Sequence, residues 1–335
     1  MAKVQRAADA SKSEIIGVYK VADKKVPTIA ANGRNLSYLA ATGKLDPVYG
    51  RDEIVKSIEK MMLRHSKPNV LLIGKAGVGK TSIAEAVAQH LANKRMERAE
   101  KIKEMHEEYV RECAAYEELN EEYPDELHEM PKEPKYPAAY PYMEWVVYEL
   151  CLNTVVSGTM YRGQCEEKIQ KIIQEAEENK NVILFIDEIH MLMGLGGSSE
   201  DKTATVDQAF KPALARGQIR VIGATTTDEI KHLEKDKAMM RRFSRIDVEP
   251  LSGSVATEIA GSILDNYCKV HKVKTSVDAK ELLAKCDYFL DGIFPNHFID
   301  VIDETLAGAV YDGKKSVNMT DFNATLSRMT GNIIL

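Results

Sequence analysis

The sequence lacks an apolar run long enough to cross a membrane, and it lacks paired cysteines. No stretch approaches the roughly 18 residues of a transmembrane helix, and residues 1–31 hold no apolar core followed by a cleavage site. The odd number of cysteines, without C-x-x-C spacing, favours reduced thiols over disulfides or a zinc site. They are Cys113, Cys151, Cys165, Cys268 and Cys286. We therefore expect a cytoplasmic protein without a membrane partner.

An excess of positive charge is also absent. The 335 residues carry a formal net charge of −6, which gives no overall attraction to nucleic acid. The chain is 44% hydrophobic and 29% charged, as in an ordinary globular protein, and is long enough for about two domains. Nucleic-acid binding is therefore a secondary hypothesis that would need a local basic groove.

Short apolar runs alternate with helical patterns in the middle of the chain. They predict an α/β fold with a parallel five-stranded sheet, because strands buried on both faces are apolar throughout. The runs are Asn69–Ile73, Val146–Cys151, Asn181–Ile186, Ile219–Gly223 and Arg245–Glu249. After Pro250 helical spacing takes over, with candidate helices near 254–270, 277–289, 295–311 and 320–329. We expect an α/β domain at 36–250 and a small all-helical domain at 251–335, with Thr320 capping the last helix.

Two segments fit neither domain. Residues 1–35 are polar and without sustained periodicity, which predicts a flexible arm. Residues 92–145 combine a Lys/Glu-rich helix carrying a heptad-like apolar stripe with a Pro/Tyr-rich return, inserted between the first and second predicted strands. We interpret the insertion as a solvated helix packed on its own return segment. A docking surface for an adaptor is the alternative.

A phosphate-binding pattern follows the first predicted strand directly. It matches G-x-x-x-x-G-K-[ST] and consists of Gly74, Lys75, Ala76, Gly77, Val78, Gly79, Lys80 and Thr81. Such glycines let backbone N–H groups turn toward phosphates, the lysine reaches the β- and γ-phosphates, and the hydroxyl binds Mg²⁺. The pattern predicts that ATP and Mg²⁺ bind here.

An apolar strand ends in two acidic residues at Asp187 and Glu188. In a parallel sheet this end lies on the same edge as the phosphate loop, so Asp187 is expected to hold Mg²⁺ and Glu188 to polarise the attacking water. A strand can also end in acids without any function. The phosphate loop upstream favours the catalytic interpretation.

Several motifs in order resemble the first ATPase module of the Clp-type protein unfoldases, the ClpA, ClpB and ClpC group of AAA+ ATPases. The resemblance covers about residues 36–91 and 146–335. The motifs are the phosphate loop, Leu45–Glu53, Phe185–His190, Lys211–Gly217 and Gly223–Thr226. It implies an AAA+ P-loop fold and an ATPase that works as a hexameric ring on a polypeptide substrate.

The resemblance also assigns roles to individual residues. Val48 and Tyr49 would contact adenine, and Thr226 would act as the sensor that orients water or the γ-phosphate. Arg241 and Arg242 would be arginine fingers that reach the neighbouring subunit's site and supply roughly 10³- to 10⁵-fold in rate. The alternatives are a strand-end threonine that caps a helix and a solvated basic pair.

A glycine-bounded segment resembles the family's first pore loop, whose aromatic residue grips a threaded chain. Its central residues are Met160, Tyr161 and Arg162, and residues 194–203 would form a second, polar loop. An aromatic tip offers contact area without requiring one substrate sequence. A surface tyrosine without function is the plain alternative.

The sequence departs from the family at several points. No segment of these 335 residues resembles the family's N-terminal adaptor domain or second ATPase module, no peptidase-docking loop is recognisable, and the region Gly292–His297 holds no second-sensor arginine. A nucleic-acid-directed ATPase, such as a helicase or clamp loader, and an ATP-controlled assembly switch therefore stay open as alternatives. The Ser-Arg-Cys finger expected of clamp loaders is absent.

Overall fold

A computed structural model describes residues 12–124, 128–156, 162–191, 210, 212–214 and 216–334. Its central feature is a six-stranded sheet with the order β1-β3-β4-β5-β2-β6. Five strands are parallel, and β1 pairs antiparallel with β3. The strands are β1 (Gly33–Asn35), β2 (Asn69–Ile73), β3 (Val146–Leu150), β4 (Val182–Ile186), β5 (Arg220–Thr225) and β6 (Phe243–Asp247).

The sheet confirms the five predicted parallel strands and adds an edge strand that the sequence did not predict. Strand β1 has three residues, too few for a period-2 pattern to be visible. A Cβ at Gly33 would clash with the carbonyl oxygen of Glu149, so glycine permits this pairing. Strand β6 begins at Phe243, two residues before the predicted start, because Phe243 pairs with Asn69.

Apolar layers cover both faces of the sheet. Along β4, Ile183 and Phe185 pack into one layer, and Val182, Leu184 and Ile186 pack into the other. A parallel strand buried on both faces needs apolar residues at every position, which explains the uninterrupted run.

Helices of very different length surround the sheet. They are α1 (Lys12–Lys25), α2 (Pro27–Ala31), α3 (Leu36–Ala41), α4 (Asp52–Met62), α5 (Lys80–Glu122), α6 (Leu152–Val156), α7 (Arg162–Glu178), α8 (Ile230–Glu234) and α9 (Lys237–Met240). Helix α5 runs for 43 residues, roughly 65 Å, from the phosphate loop through the helical part of the insertion. Its buried residues end at Ile102, so the distal half projects beyond the core.

The return segment of the insertion packs against α5 over part of its length. Arg98 donates hydrogen bonds of 3.0 and 3.2 Å to the carbonyl oxygen of Pro137. His106 and Tyr136 lie 3.0 Å apart, Nδ1 to hydroxyl oxygen. These contacts agree with a helix packed on its own return segment.

The N-terminal segment is ordered from Lys12 onward, so the prediction of a flexible arm over 1–35 is wrong for this part. Ile15, Tyr19, Val26 and Ile29 are buried in the sheet's apolar layer. The carboxylate of Glu175 accepts hydrogen bonds from the backbone N–H groups of residues 28 and 29, at 2.9 Å each. With Ala22, the buried residues are spaced by four, three, four and three positions, an amphipathic pattern interrupted by lysines.

The C-terminal unit has its own apolar core. Its elements are α10 (Gly253–His271), β7 (Lys274–Thr275), α11 (Ala279–Phe289), α12 (Asn296–Tyr311), β8 (Ser316–Val317) and α13 (Met319–Thr330). Phe298, Leu306 and Phe322 are fully buried within it. The helices lie where the sequence predicted them, but a two-stranded parallel pair, β7 with β8, shows that the unit is not all-helical.

The last helix is capped differently from the prediction. Asn318, not Thr320, is the N-cap of α13, and Asn318 and Asp321 form a reciprocal capping box. In the part of the chain that the structure describes, no helix is long and apolar enough to span a bilayer.

Candidate functional site

The phosphate loop joins the end of β2 to the start of α5. Gly77 and Gly79 have φ angles of +78° and +87°, a left-handed conformation that glycine adopts without strain. Helix α5 begins at Lys80, so its N-terminal N–H groups, which attract anions, face this loop. The loop therefore has the backbone that the sequence pattern predicts.

The Lys80 side chain lies inside the loop. Its ammonium donates hydrogen bonds of 2.9 Å to the carbonyl oxygen of Gly74 and 3.0 Å to that of Lys75. Burial lowers the pKa of Lys80, while the nearby carboxylates of Asp187, Glu229 and Glu188 act in the opposite direction. An arriving phosphate can replace the carbonyl partners and adds negative charge that favours the ammonium.

The acidic pair at the end of β4 meets the phosphate loop. Thr81 donates a hydrogen bond of 2.6 Å from its hydroxyl to Oδ2 of Asp187. The backbone N–H of Glu188 donates to Oδ1 of Asp187 at 2.9 Å. Glu188 has a φ of +47°, a strained conformation for a residue with a side chain and one that clusters at functional sites.

Thr226 lies between these two groups because β5 lies between β4 and β2. With Lys80, Thr81, Asp187 and Glu188 it lines a single cavity of about 340 Å³. Its hydroxyl donates a hydrogen bond of 2.6 Å to Oε2 of Glu229. The structure thus brings the predicted catalytic residues together, apart from the two arginines.

A second cavity of about 270 Å³ adjoins the first and shares four lining residues with it, namely Gly79, Ser82, Pro295 and Ile299. Val48 and Tyr49 line one side, as predicted for an adenine contact. The C-terminal unit contributes further lining residues, namely Leu251, Ile259, Ile263, Asn266, Tyr267, Pro295 and Ile299. Apolar walls with a few polar groups suit a nucleoside.

Arg51 is a residue of this site whose side chain the sequence analysis did not single out. It is buried, and its guanidinium donates to the carbonyl oxygens of Val78, at 2.9 Å, and Glu249, at 3.0 Å. It thereby fixes the phosphate loop to the segment after β6. The motif Leu45–Glu53, which contains Arg51, was the available signal, but a single arginine does not reveal partners 27 and 198 residues away.

The C-terminal unit also contributes residues to the phosphate cavity. Asn296 and Pro295 line it, and the Asn296 amide donates a hydrogen bond of 3.1 Å to Asp300. In the region where the family's second-sensor arginine was expected, this chain places a neutral amide.

The two predicted finger arginines are exposed at the C-terminal end of α9. Neither Arg241 nor Arg242 lines either cavity. The structure therefore does not bring them to the nucleotide cavities of the same chain.

The predicted pore loops lie outside the described residues. This applies to Met160, to Tyr161 and to residues 194–203. Arg162 is the first residue of α7, and its side chain also lies outside the described part. The pore-loop assignment stays a prediction.

The comparison with protein families gives a clear result. The model of the "ATPase family associated with various cellular activities (AAA)" matches residues 70–251, more than half of the chain. The chain belongs to this family of ATPases. The match spans the phosphate loop, the Asp187-Glu188 pair and Thr226, so nucleotide binding is established at the level of the family.

Similar proteins include Clp ATPase subunits, which confirms the resemblance. The chain is 36% identical over 281 residues to the ATP-dependent Clp protease ATP-binding subunit ClpC of Staphylococcus epidermidis, covering 83% of this chain and 29% of that protein. It is 36% identical over 285 residues to the ClpA homolog of Cyanidium caldarium, covering 84% and 28%. It thus spans less than a third of these relatives.

Solved structures of Hsp104 have the same fold. A closed-state reconstruction of Hsp104 with ATPyS and FITC casein gives a TM-score of 0.69 at 30% identity, covering 91% of this chain and 45% of that one. The S. cerevisiae Hsp104–ADP complex gives 0.67 at 29% identity, covering 91% and 46%.

Proposed function

We propose that this chain hydrolyses ATP at a site shared between subunits of a ring, and that the ring remodels or unfolds proteins by threading them through a central pore. The observation that carries the proposal is the hydrogen bond between Thr81 and Asp187 in a cavity that Lys80, Glu188 and Thr226 also line. These groups line one cavity, and they are the kinds of group that phosphoryl transfer requires.

The two adjoining cavities suggest the pose of the nucleotide. Adenine would lie beside Val48 and Tyr49, and the phosphates would lie against the N–H groups of residues 74–81. Lys80 would exchange its two carbonyl partners for the β- and γ-phosphates.

The donor set at the phosphate end fits Mg²⁺. Thr81 and Asp187 offer a hydroxyl and a carboxylate oxygen, hard ligands of the kind Mg²⁺ takes, and the ion usually completes its shell with water and substrate phosphates. When bound, the ion would neutralise charge on the transferred phosphoryl group.

Glu188 is the proposed group that polarises the attacking water. Glu188→Gln keeps the shape but lacks the charge, so it should bind a fluorescent ATP analogue as tightly as the wild type while turnover is lost. Wild-type hydrolysis in the purified variant would remove Glu188 from this role.

Arg241 and Arg242 support a site shared between subunits. They are exposed and absent from their own nucleotide cavities, so any contact with ATP requires a neighbouring copy. We propose a homo-oligomeric ring, a hexamer by the resemblance to Clp ATPases, in which they complete the next subunit's site.

The polypeptide substrate rests on the similar proteins. One similar structure contains Hsp104 with casein, and the ClpC relatives are named as ATP-binding subunits of a protease. We propose the cytoplasm as the location, and an adaptor on residues 92–145 as a further partner. Stimulation of the ATPase by an unfolded protein, and not by single-stranded DNA, is the expected result; the reverse would favour a nucleic-acid motor.

Tyr161 tests threading itself. Tyr161→Ala should leave basal hydrolysis intact and abolish unfolding of a tagged fluorescent protein, because each subunit loses an aromatic grip worth roughly 0.5 to 1.5 kcal/mol. Unchanged unfolding would contradict threading and favour an assembly switch.

A further inference from the structure

The hydroxyl of Thr226 already forms hydrogen bonds within the protein. Its oxygen lies 2.6 Å from Oε2 of Glu229, and the backbone N–H of Glu229 donates back to the same hydroxyl oxygen at 3.3 Å. A threonine hydroxyl has one proton to donate and two lone pairs that accept. The direction of the 2.6 Å bond therefore decides what Thr226 can offer to the cavity that it lines.

An ionised carboxylate can only accept, so an ionised Glu229 forces Thr226 to be the donor. The hydrogen bond from Thr226 lowers the pKa of Glu229, and His190 and Lys80 add to this effect, although burial opposes it. With its proton directed at Glu229 and one lone pair facing the Glu229 N–H, Thr226 has one lone pair left. That lone pair can accept a proton from a water molecule.

The carboxylate of Glu229 also has a second neighbour, the imidazole of His190. Nδ1 of His190 lies 3.3 Å from Oε2 of Glu229 and 3.3 Å from the hydroxyl oxygen of Thr225. A proton on Nδ1 would be donated to the carboxylate, which has no proton to give. Glu229 does not line the phosphate cavity, whereas Thr226 does, so the hydrogen-bonded route from Glu229 to the cavity runs through Thr226. Its charge also acts on Lys80.

From this arrangement we propose that Glu229 is a positioning residue for ATP hydrolysis. The Glu229 carboxylate accepts the only hydroxyl proton of Thr226, so that Thr226 serves as an acceptor that orients the attacking water. Thr226 then has no proton to donate to the γ-phosphate. Glu188 then accepts from one O–H of the water and Thr226 from the other, which aims an oxygen lone pair at phosphorus. The inference rests on the proposed hydrolytic function and specifies how its sensor residue works.

The test compares steady-state kinetics of the full chain with Glu229→Ala, Glu229→Gln and, as a matched control, Asp228→Asn. Asp228 is the exposed neighbour of Glu229 and lines neither cavity. For Glu229→Ala we expect kcat to fall by about 10- to 100-fold, by analogy with the loss of a hydrogen-bonded partner that orients a metal ligand. KM for ATP and the Kd of a fluorescent analogue should stay within about twofold, because Glu229 does not line the cavity.

Glu229→Gln should recover part of the lost kcat, because its amide oxygen can still accept from Thr226. A double-mutant cycle with Thr226→Ala adds a readout that a merely structural role would not give. If Glu229 acts through Thr226, the double variant should be no slower than Thr226→Ala alone. Thermal melting of each variant separates a folding defect from a catalytic one, and Glu229→Gln serves as the test if the alanine variant is unfolded.

Three results would overturn the inference alone while the wild type hydrolyses ATP. The first is an unchanged or raised kcat in Glu229→Ala, which would mean that Glu229 is idle or withholds Thr226 from the phosphate. The second is a rise confined to KM, and the third is additive losses in the double variant. A wild-type chain without turnover, in the presence of assembled rings, would instead overturn the proposed function and this inference with it.

Discussion

The guanidinium of Arg51 donates a hydrogen bond of 2.9 Å to the carbonyl oxygen of Val78, inside the phosphate loop. Its second bond, to Glu249, anchors the loop to the segment that follows β6. A forked donor with a fixed plane makes both contacts at once, and a lysine ammonium does not reproduce that geometry.

Arg51→Lys should therefore loosen the phosphate loop and weaken nucleotide binding. The loss of one hydrogen bond from a charged group costs about 1.5 kcal/mol. If this whole loss falls on the nucleotide-bound state, Kd rises roughly tenfold. Titration with a fluorescent ADP analogue measures the effect. Arg64→Lys is the control, because Arg64 also bonds within the sheet domain, to Ser244, but lines neither cavity. Equal affinities in the two variants would contradict the role of Arg51.

Asp187→Asn should make hydrolysis depend on much higher Mg²⁺ concentrations. The amide retains an oxygen that can accept from Thr81 but loses the negative charge that Mg²⁺ prefers. Folding should be nearly unchanged, since the contact with Thr81 can persist. A Mg²⁺ titration of ATPase activity checks this, and the same half-saturating concentration as the wild type would exclude Asp187 as a ligand.

Tyr19→Ala should destabilise the α/β domain by about 3 to 5 kcal/mol, the usual cost of removing a large buried aromatic. Tyr19 is fully buried in α1 against the sheet, and the guanidinium of Arg95 lies 5.1 Å from its ring centroid. Val18→Ala on the same helix is the control, because Val18 is 49% exposed. Urea unfolding gives both values. A loss as small as that of Val18→Ala would restore the flexible-arm interpretation.

The sequence predicted the sheet well because its strands are buried on both faces and therefore apolar throughout. Asn69–Ile73 was located to the residue. Strand β1 was missed because three residues carry no periodic signal, and its existence depends on pairing with Tyr148, Glu149 and Leu150, more than 110 residues away. Helix α1 was missed because lysines interrupt its apolar spacing.

The parts of the candidate site that could be predicted are those whose functional residues lie together in one short stretch of sequence. The phosphate loop and the Asp187-Glu188 pair each follow an apolar strand directly. Because the strands are parallel, both groups lie at the same edge of the sheet. Arg51 and Glu229 act through contacts that local spacing does not encode. The partner of Arg51 is a backbone carbonyl of no particular residue type, and Glu229 resembles any acid in a surface turn.

Cys286 should resist alkylation in the folded protein. Burial raises the pKa of its thiol to about 12, so only about one thiol in ten thousand is ionised at pH 8, and the side chain is fully buried. Cys113, half-buried on the projecting part of α5, should react with iodoacetamide before Cys286. Mass spectrometry of digests gives the order, and unfolding in urea should remove the difference.

The same shift fixes the sign of a pH effect. The folded state holds the Cys286 proton more tightly than the unfolded state, whose thiol has a pKa near 9.0. Its contribution to stability is therefore complete below about pH 9 and is lost as the pH rises toward 12. Early labelling of Cys286 in the native protein would contradict the buried core of the helical unit.

In the proposed ring, one active site is built from two subunits. The most direct measurement mixes Arg241→Ala/Arg242→Ala subunits with Lys80→Ala subunits and follows ATP hydrolysis. Each variant alone should be inactive, because one lacks fingers and the other lacks the phosphate-binding lysine. In an equal mixture about a quarter of the interfaces pair an intact phosphate loop with intact fingers, so activity should return.

The triple variant, with Lys80, Arg241 and Arg242 all replaced by alanine, is the matched partner that should rescue nothing. Native mass spectrometry of the mixtures establishes that the rings contain both kinds of subunit. Recovery of hydrolysis only in the first mixture is the predicted result. Mixed rings that stay inactive in both mixtures would contradict a site shared between subunits.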